Sequence, residues 1–143
     1  MNIPNLEFAI AQSHAALGAI LKGDPTLYQA LFSASDDITL GNPFGPFARG
    51  QQEVKRALAR AAANYLDGEI VEVESIAHYV SSDFACIVEV ERSRAKVGGG
   101  TELVSIAVRV TSVFALEQNN WKLVHRHADH ITTPRPASSV MSL

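Results

Sequence analysis

The chain has 143 residues, 47% of them hydrophobic, and a formal net charge of −3. That length supports one domain burying roughly two-thirds of its unfolded surface, and the mild acidity excludes the basic footprint of a nucleic-acid binder. Charges interrupt every apolar run, so no membrane span is expected, and MNIPNLEF lacks the basic start and apolar centre of a signal peptide, so a cytoplasmic location is expected.

Ile10, His14, Leu17 and Leu21 share a stripe at helical spacing that closes at Gly23, which predicts a first helix over residues 5–22. A histidine on such a stripe reads as a core residue with its hydrogen bond satisfied. Asp24 followed by Pro25 reads as an N-cap and first-turn proline, opening a short second helix through PTLYQALF. Tyr28 in that helix is either ordinary packing with its hydroxyl at the surface or a ligand contact. DDITLGN reads as a brief strand. The loop NPFGPFARG follows, and its Phe44 and Phe47 either pin the loop to the core or rim a pocket. A third helix is predicted over residues 51–66, ended by Asp67-Gly68.

From residue 69 onward the period changes to two, and residues 69–80, 83–95, 101–117 and 121–129 read as long strands separated by SSD, VGGG and QNN turns. His78 is expected at an exposed strand position. Cys86 is the only cysteine, so no internal disulfide exists, and within FACIV it reads as a small core residue. Helices first and an antiparallel sheet after them make an α+β layout. Beyond residue 133 the prolines and serines predict a loosely ordered tail, so one domain over residues 1–133 is expected.

The run 101–117 places Val104, Ile106, Val108, Val110, Phe114 and Leu116 on one face and smaller, partly polar residues, Arg109 and Thr111 among them, on the other. A strand of that kind is covered on both sides, by helices on one and by a second subunit or a ligand cavity on the other. A buried guanidinium needs a partner. For Arg109 that partner is Glu89, Glu91, Asp129 or a ligand carboxylate. In the last strand, strict alternation puts Trp121, Leu123, His125, His127 and Asp129 on one face, with successive imidazoles about 6.6 Å apart. His125 and His127 can act as acid and base, with Asp129 fixing a tautomer, or can simply hold neighbouring backbone. Together with His130 the pattern HxHxDH imitates a zinc run. No metal is expected, because a strand pair alone is incomplete and no remote ligands follow it.

The strand bearing Arg109-Val110-Thr111, followed by a turn and then Trp121-Lys122-Leu123-Val124-His125-Arg126-His127, resembles the SnoaL-like and ketosteroid-isomerase-like branch of the nuclear transport factor 2-like superfamily. The association domain of calcium/calmodulin-dependent protein kinase II is similar too, in the Trp-to-His spacing and at Phe84-Ala85-Cys86-Ile87. The resemblance spans about residues 5–133. It implies three N-terminal helices packed with a curved antiparallel sheet wrapped into a cone. It also implies a homodimer, and a pocket for a small apolar molecule touched by Tyr28, Asn42, Phe44, Phe47, Arg109 and Trp121.

The isomerases of this branch need a carboxylate base and two acidic donors around an enolate oxygen. Here Asn42 stands at the place of the base, Ala16 near that of the donor tyrosine, and Thr111 near that of the second donor. Steroid isomerisation is therefore not expected. Two readings stay open. One is a cofactor-free acid/base isomerase, cyclase or dehydratase acting on a ring or carbonyl compound, with His125, His127 and Asp129 as proton carriers. The other is a non-catalytic ligand-binding or assembly module.

Overall fold

A computed structural model describes residues 5–142. Helix α1 covers Leu6–Ile20, and the Asn5 side chain caps it by accepting from Glu7 N at 2.8 Å. A short α2, Thr26–Leu31, follows, then β1 at Thr39–Gly41 and a two-residue β2 at Ala48–Arg49. Helix α3 is Gln51–Ala62, and its Val54, Ala57, Leu58, Ala61 and Ala62 form the buried stripe. Four long strands complete the order: β3 Tyr65–Val80, β4 Phe84–Val97, β5 Val104–Glu117 and β6 Asn120–Asp129. A 3-10 turn lies at Ala137–Val140.

The third helix stops four residues before its predicted end, and Tyr65 and Leu66 open β3 instead. The pair read as its terminator, Asp67-Gly68, lies inside that strand, where the register shifts between Leu66 and Glu69 and Asp67 takes φ 55°. Gly68 is needed for close approach: its N–H donates to Leu21 O at 3.0 Å, and a Cβ there would lie 2.7 Å from that oxygen. This contact ties the end of α1 to the sheet.

The sheet runs β2-β1-β6-β5-β4-β3. It is mixed rather than wholly antiparallel, because β1 pairs parallel with β6 through Thr39 with His125, Leu40 with Arg126 and Gly41 with His127. Three shifts of register in β3 and one between β5 and β6 bend the long strands. The result is a curved, unclosed sheet whose inner face holds the helices. Its core joins Ile10, Leu17 and Ile20 of α1, Val54 and Leu58 of α3, and Ile87, Phe114 and Leu123 of the sheet. His78 is exposed as expected, whereas Cys86 is only partly buried, opposite Val113 on the outer face. Among the described residues no helix is long and apolar enough to cross a membrane.

Candidate functional site

One residue decides which side chains enter the cone. Phe114 pairs with Leu123 but Val113 pairs with His125, so Val124 is an extra residue, a β-bulge. Before it, Trp121 and Leu123 point inward. After it, Arg126 and Ala128 point inward, and His125, His127 and Asp129 are turned to the outer face beside Val113, Thr111 and Arg109. The single-face reading of the last strand is thereby corrected: strict period two fails where one strand carries an additional residue.

The inner face therefore holds charges that strict alternation left out. On β4, Glu89, Glu91 and Ser93 alternate inward and are buried. Arg126 donates to both oxygens of Glu91, at 3.0 Å through Nη1 and 2.8 Å through Nη2, a bidentate pair with both side chains under one-tenth exposed. Its guanidinium carbon lies 5.2 Å from the centroid of the Tyr28 ring. Burial lowers the affinity of Arg126 for its proton, but the Glu91 charge more than reverses this, and the guanidinium is held firmly protonated. Burial likewise pushes the Tyr28 hydroxyl well up, so it is a donor and not a base.

A cavity of about 60 Å³ opens beside this pair. Its walls are Leu17, Ile20, Leu40, Leu58, Ile106 and Val108, its polar groups come from Tyr28, Tyr65, Glu91, Ser93 and Arg126, and Asn42, Pro43 and Phe44 stand at its edge. Phe44 is 47% exposed and packs on Tyr65 with ring centroids 5.7 Å apart. The Asn42 side chain caps its own turn, accepting from Phe44 N at 3.0 Å. At about 10–15 Å³ per water the cavity has room for only a few water-sized molecules, far below the roughly 300–1,000 Å³ of a drug-sized pocket.

Beside the cavity, His14 on α1 meets Glu89 at 2.9 Å. The hydrogen bond to Glu89 raises its pKa above 6.5, against the opposing effect of burial. Because the folded value is the higher one, the stabilisation is complete below pH 6.5 and is lost as pH rises through the folded pKa. Urea midpoints are therefore expected to fall between pH 6 and pH 9 in the native chain, and the fall should be reduced in His14→Gln. An unchanged slope in the variant would locate the pH dependence elsewhere.

The remaining candidates are spread out. Tyr28, Asn42 and Phe44 line the cavity. Trp121 is buried in the core at 8% exposure. Arg109, His125, His127 and Asp129 share a shallow outer depression with Thr111, so Thr111, read as the second donor position, is not inside; the inward neighbours are Val110 and Ser112. On that face Arg109 Nε donates to Asp129 at 2.7 Å, which with other contacts lowers the Asp129 pKa to about 2, while His127 Nε2 lies 3.1 Å from its other oxygen. Asp129, one of the partners proposed for Arg109, is the partner found, but the guanidinium is exposed on the outer face and not buried as the sequence predicts. His125 Nδ1 is 2.8 Å from Thr39 Oγ1, and its pKa is lowered by burial and by His127. Phe47 lies over Gly41 on this outer side, 5.9 Å from the His127 ring, and a Cβ on Gly41 would come within 2.6 Å of it. Among the described residues no three His, Cys, Asp or Glu side chains are grouped to hold a metal.

Three helices on a curved six-stranded sheet, with polar groups set inside the concave face, define the nuclear transport factor 2-like class. The chain belongs to the SnoaL-like domain family, which matches residues 10–131. No curated protein matches it. Similar solved structures include a nuclear transport factor 2-like superfamily protein from Salmonella enterica, 18% identical over 96% of this chain and 94% of that one, TM-score 0.75. A candidate dehydratase of the same class from Streptomyces avermitilis is 20% identical over 90% and 95%, TM-score 0.71. A candidate calcium/calmodulin-dependent protein kinase type II association domain from Thiobacillus denitrificans is 18% identical over 92% and 99%, TM-score 0.69. At these identities the likeness concerns the fold.

Proposed function

We propose that this SnoaL-like chain binds a small, uncharged, largely apolar ring or carbonyl compound inside the cone. The observation that carries the reading is the bidentate Glu91–Arg126 pair beside a cavity whose walls are mostly apolar. Arg126 is already neutralised by Glu91, and Glu89 is matched by His14. A ligand carboxylate would bring an unmatched charge into this setting, where burying one costs several kcal/mol. A ligand hydroxyl or carbonyl needs only a hydrogen bond, for which Tyr28, Ser93 and Arg126 are the nearest polar groups. The small volume limits the ligand, or requires the exposed Pro43-Phe44 turn to move aside.

Phenol and benzoate carry the same ring and differ in charge. Millimolar phenol is expected to raise the melting temperature of the chain by a few degrees, since a ligand at 100 times its Kd adds about 2.7 kcal/mol, and benzoate is expected to leave it unchanged. Ile106→Phe, which fills the cavity, should abolish the response. Equal responses to both probes, or a response that survives Ile106→Phe, would remove the cone as the site.

A catalytic version of this reading is favoured by one observation, that Glu91 is a carboxylate on the cavity wall. It makes Glu91 the proton acceptor of an isomerisation or dehydration, in place of the outward His125, His127 and Asp129. Conversion of a β,γ-unsaturated cyclohexenone to its conjugated isomer, lost in Glu91→Gln, supports catalysis. Phenol binding without such turnover supports the non-catalytic module.

A further inference from the structure

Helix α3 carries two exposed arginines, Arg56 and Arg60, four residues apart. Side chains at that spacing are neighbours on a helix, about 5–6 Å apart at Cβ, and two like charges there repel. Elsewhere Arg92, Arg109 and Arg126 each meet a carboxylate. Among the described residues neither Arg56 nor Arg60 does. Arg56 makes long contacts to its own helix, at 3.4 Å to Gln52 O and 3.5 Å to Gln52 Oε1. Arg60 engages Asn64 Nδ2 through its carbonyl and not through its guanidinium.

Both guanidiniums border a cleft of about 340 Å³ between α3 and the loop that follows β1. Glu53 stands on the same wall, so two positive charges and one negative charge line the cleft, and a single monoanion neutralises the remainder. The loop wall is largely apolar, and its Phe44 and Phe47 are 47% and 63% exposed. Guanidiniums facing exposed rings suit an acid with an apolar body.

This cleft adjoins the cone. Asn42, Phe44 and Ala61 line both cavities, so Phe44, leaning on Tyr65, forms part of the partition between them. The two sides make opposite demands on a ligand. Inside, Arg126 is buried and already matched by Glu91, so a carboxylate there is penalised. Outside, Arg56 and Arg60 are exposed and unmatched, so a carboxylate there costs little desolvation and relieves their repulsion.

We propose that the compound whose uncharged ring the cone holds also carries a carboxylate on a short tether, and that this group lies in the cleft between Arg56 and Arg60. The ligand class is an aryl- or cycloalkyl-alkanoic acid that passes Phe44. This inference rests on the cone as the ring site and adds the anionic subsite at its mouth. Benzoate does not satisfy it, because its carboxylate is fixed to the ring and enters the cone with it.

Titration calorimetry at low ionic strength, with the acids from 3-phenylpropanoate to 6-phenylhexanoate and the carboxamide of each, tests the subsite. At least one acid is expected to bind roughly five-fold more tightly than its amide, which is what two exposed ion pairs supply. The gain should shrink at high salt, where exposed charges are screened. In Arg56→Gln/Arg60→Gln the acid and its amide should bind equally, with the melting temperature and the response to phenol unchanged. Acids no tighter than their amides at every length, or a gain that survives the double variant, overturn the proposal. If phenol still stabilises the chain in that case, the cone reading stands.

Ile106→Phe separates a bridging ligand from a surface one. It should weaken acids and amides together, because the ring loses its place. An acid held by Ile106→Phe as tightly as by the native chain overturns the proposal, since the carboxylate would then bind without the cone. Failure of phenol and of every amide to bind the native chain removes the cone reading and this inference with it.

Discussion

Arg126→Met is expected to lower the melting temperature by roughly 10 °C. The substitution keeps most of the side-chain stem and removes the charge that both Glu91 oxygens accept from. Glu91 is 3% exposed, so its carboxylate would be left buried with no counter-charge. Breaking a buried pair from one side typically costs about 3–5 kcal/mol, and each kcal/mol is worth roughly 2–4 °C in a domain of this size. The pair itself is not the source of that cost. Arg126→Met/Glu91→Leu, which removes both charges, is expected to recover most of the loss, because desolvation and attraction nearly cancel in such pairs. Thermal unfolding of the two variants decides the matter. A single variant within about 1 kcal/mol of the native chain would mean that Arg126 does not face inward, and the bulge would be placed wrongly.

Deleting Val124 is expected to have a still larger effect, at least ~4 kcal/mol, because it removes the extra residue that sets the two halves of β6 on opposite parity. If the first half keeps its register, the deletion drives His125, His127 and Asp129 into the apolar interior and carries Arg126 out, leaving Glu91 alone. If the second half keeps its register, Trp121 and Leu123 are expelled, and Leu123 is fully buried between β5 and the segment just after α2, where Ser33 N donates to its carbonyl at 2.8 Å. Neither arrangement can be repaired by side-chain movement. Val124→Ala is the control, since it keeps the backbone count and trims only a partly buried side chain. Circular dichroism and urea unfolding should show the deletion variant largely unfolded and Val124→Ala within about 1.5 kcal/mol of native. A deletion variant of native stability would show that the faces of β6 are not set by the bulge.

Much of the architecture was legible because periodicity is a local property. The stripe of Ile10, Leu17 and Leu21, the Gly23 stop and the period-two runs after residue 69 each identify an element without knowing its partner. The amphipathic β5 was read correctly for the same reason: Val110 and Phe114 are buried on its inner face, with Arg109 and Thr111 opposite. The parallel seat of β1 was not legible, since three residues advertise no partner, and its place beside β6 depends on how the sheet curls.

The division between what was readable and what was not falls inside β6. The sequence by itself determined that this strand exists, that it is the last strand in chain order and that histidines, an arginine and an aspartate alternate along it. Which of them enter the cone was decided by pairing with β5, where the adjacent apolar residues Leu123 and Val124 were the single local hint of a bulge. A bulge is a mismatch in count between two strands, so it belongs to neither strand's pattern alone. The burial of Arg126 against Glu91, residues 35 apart in sequence, and the outward turn of His125, His127 and Asp129 follow from that mismatch, and they exist only once the strands have met.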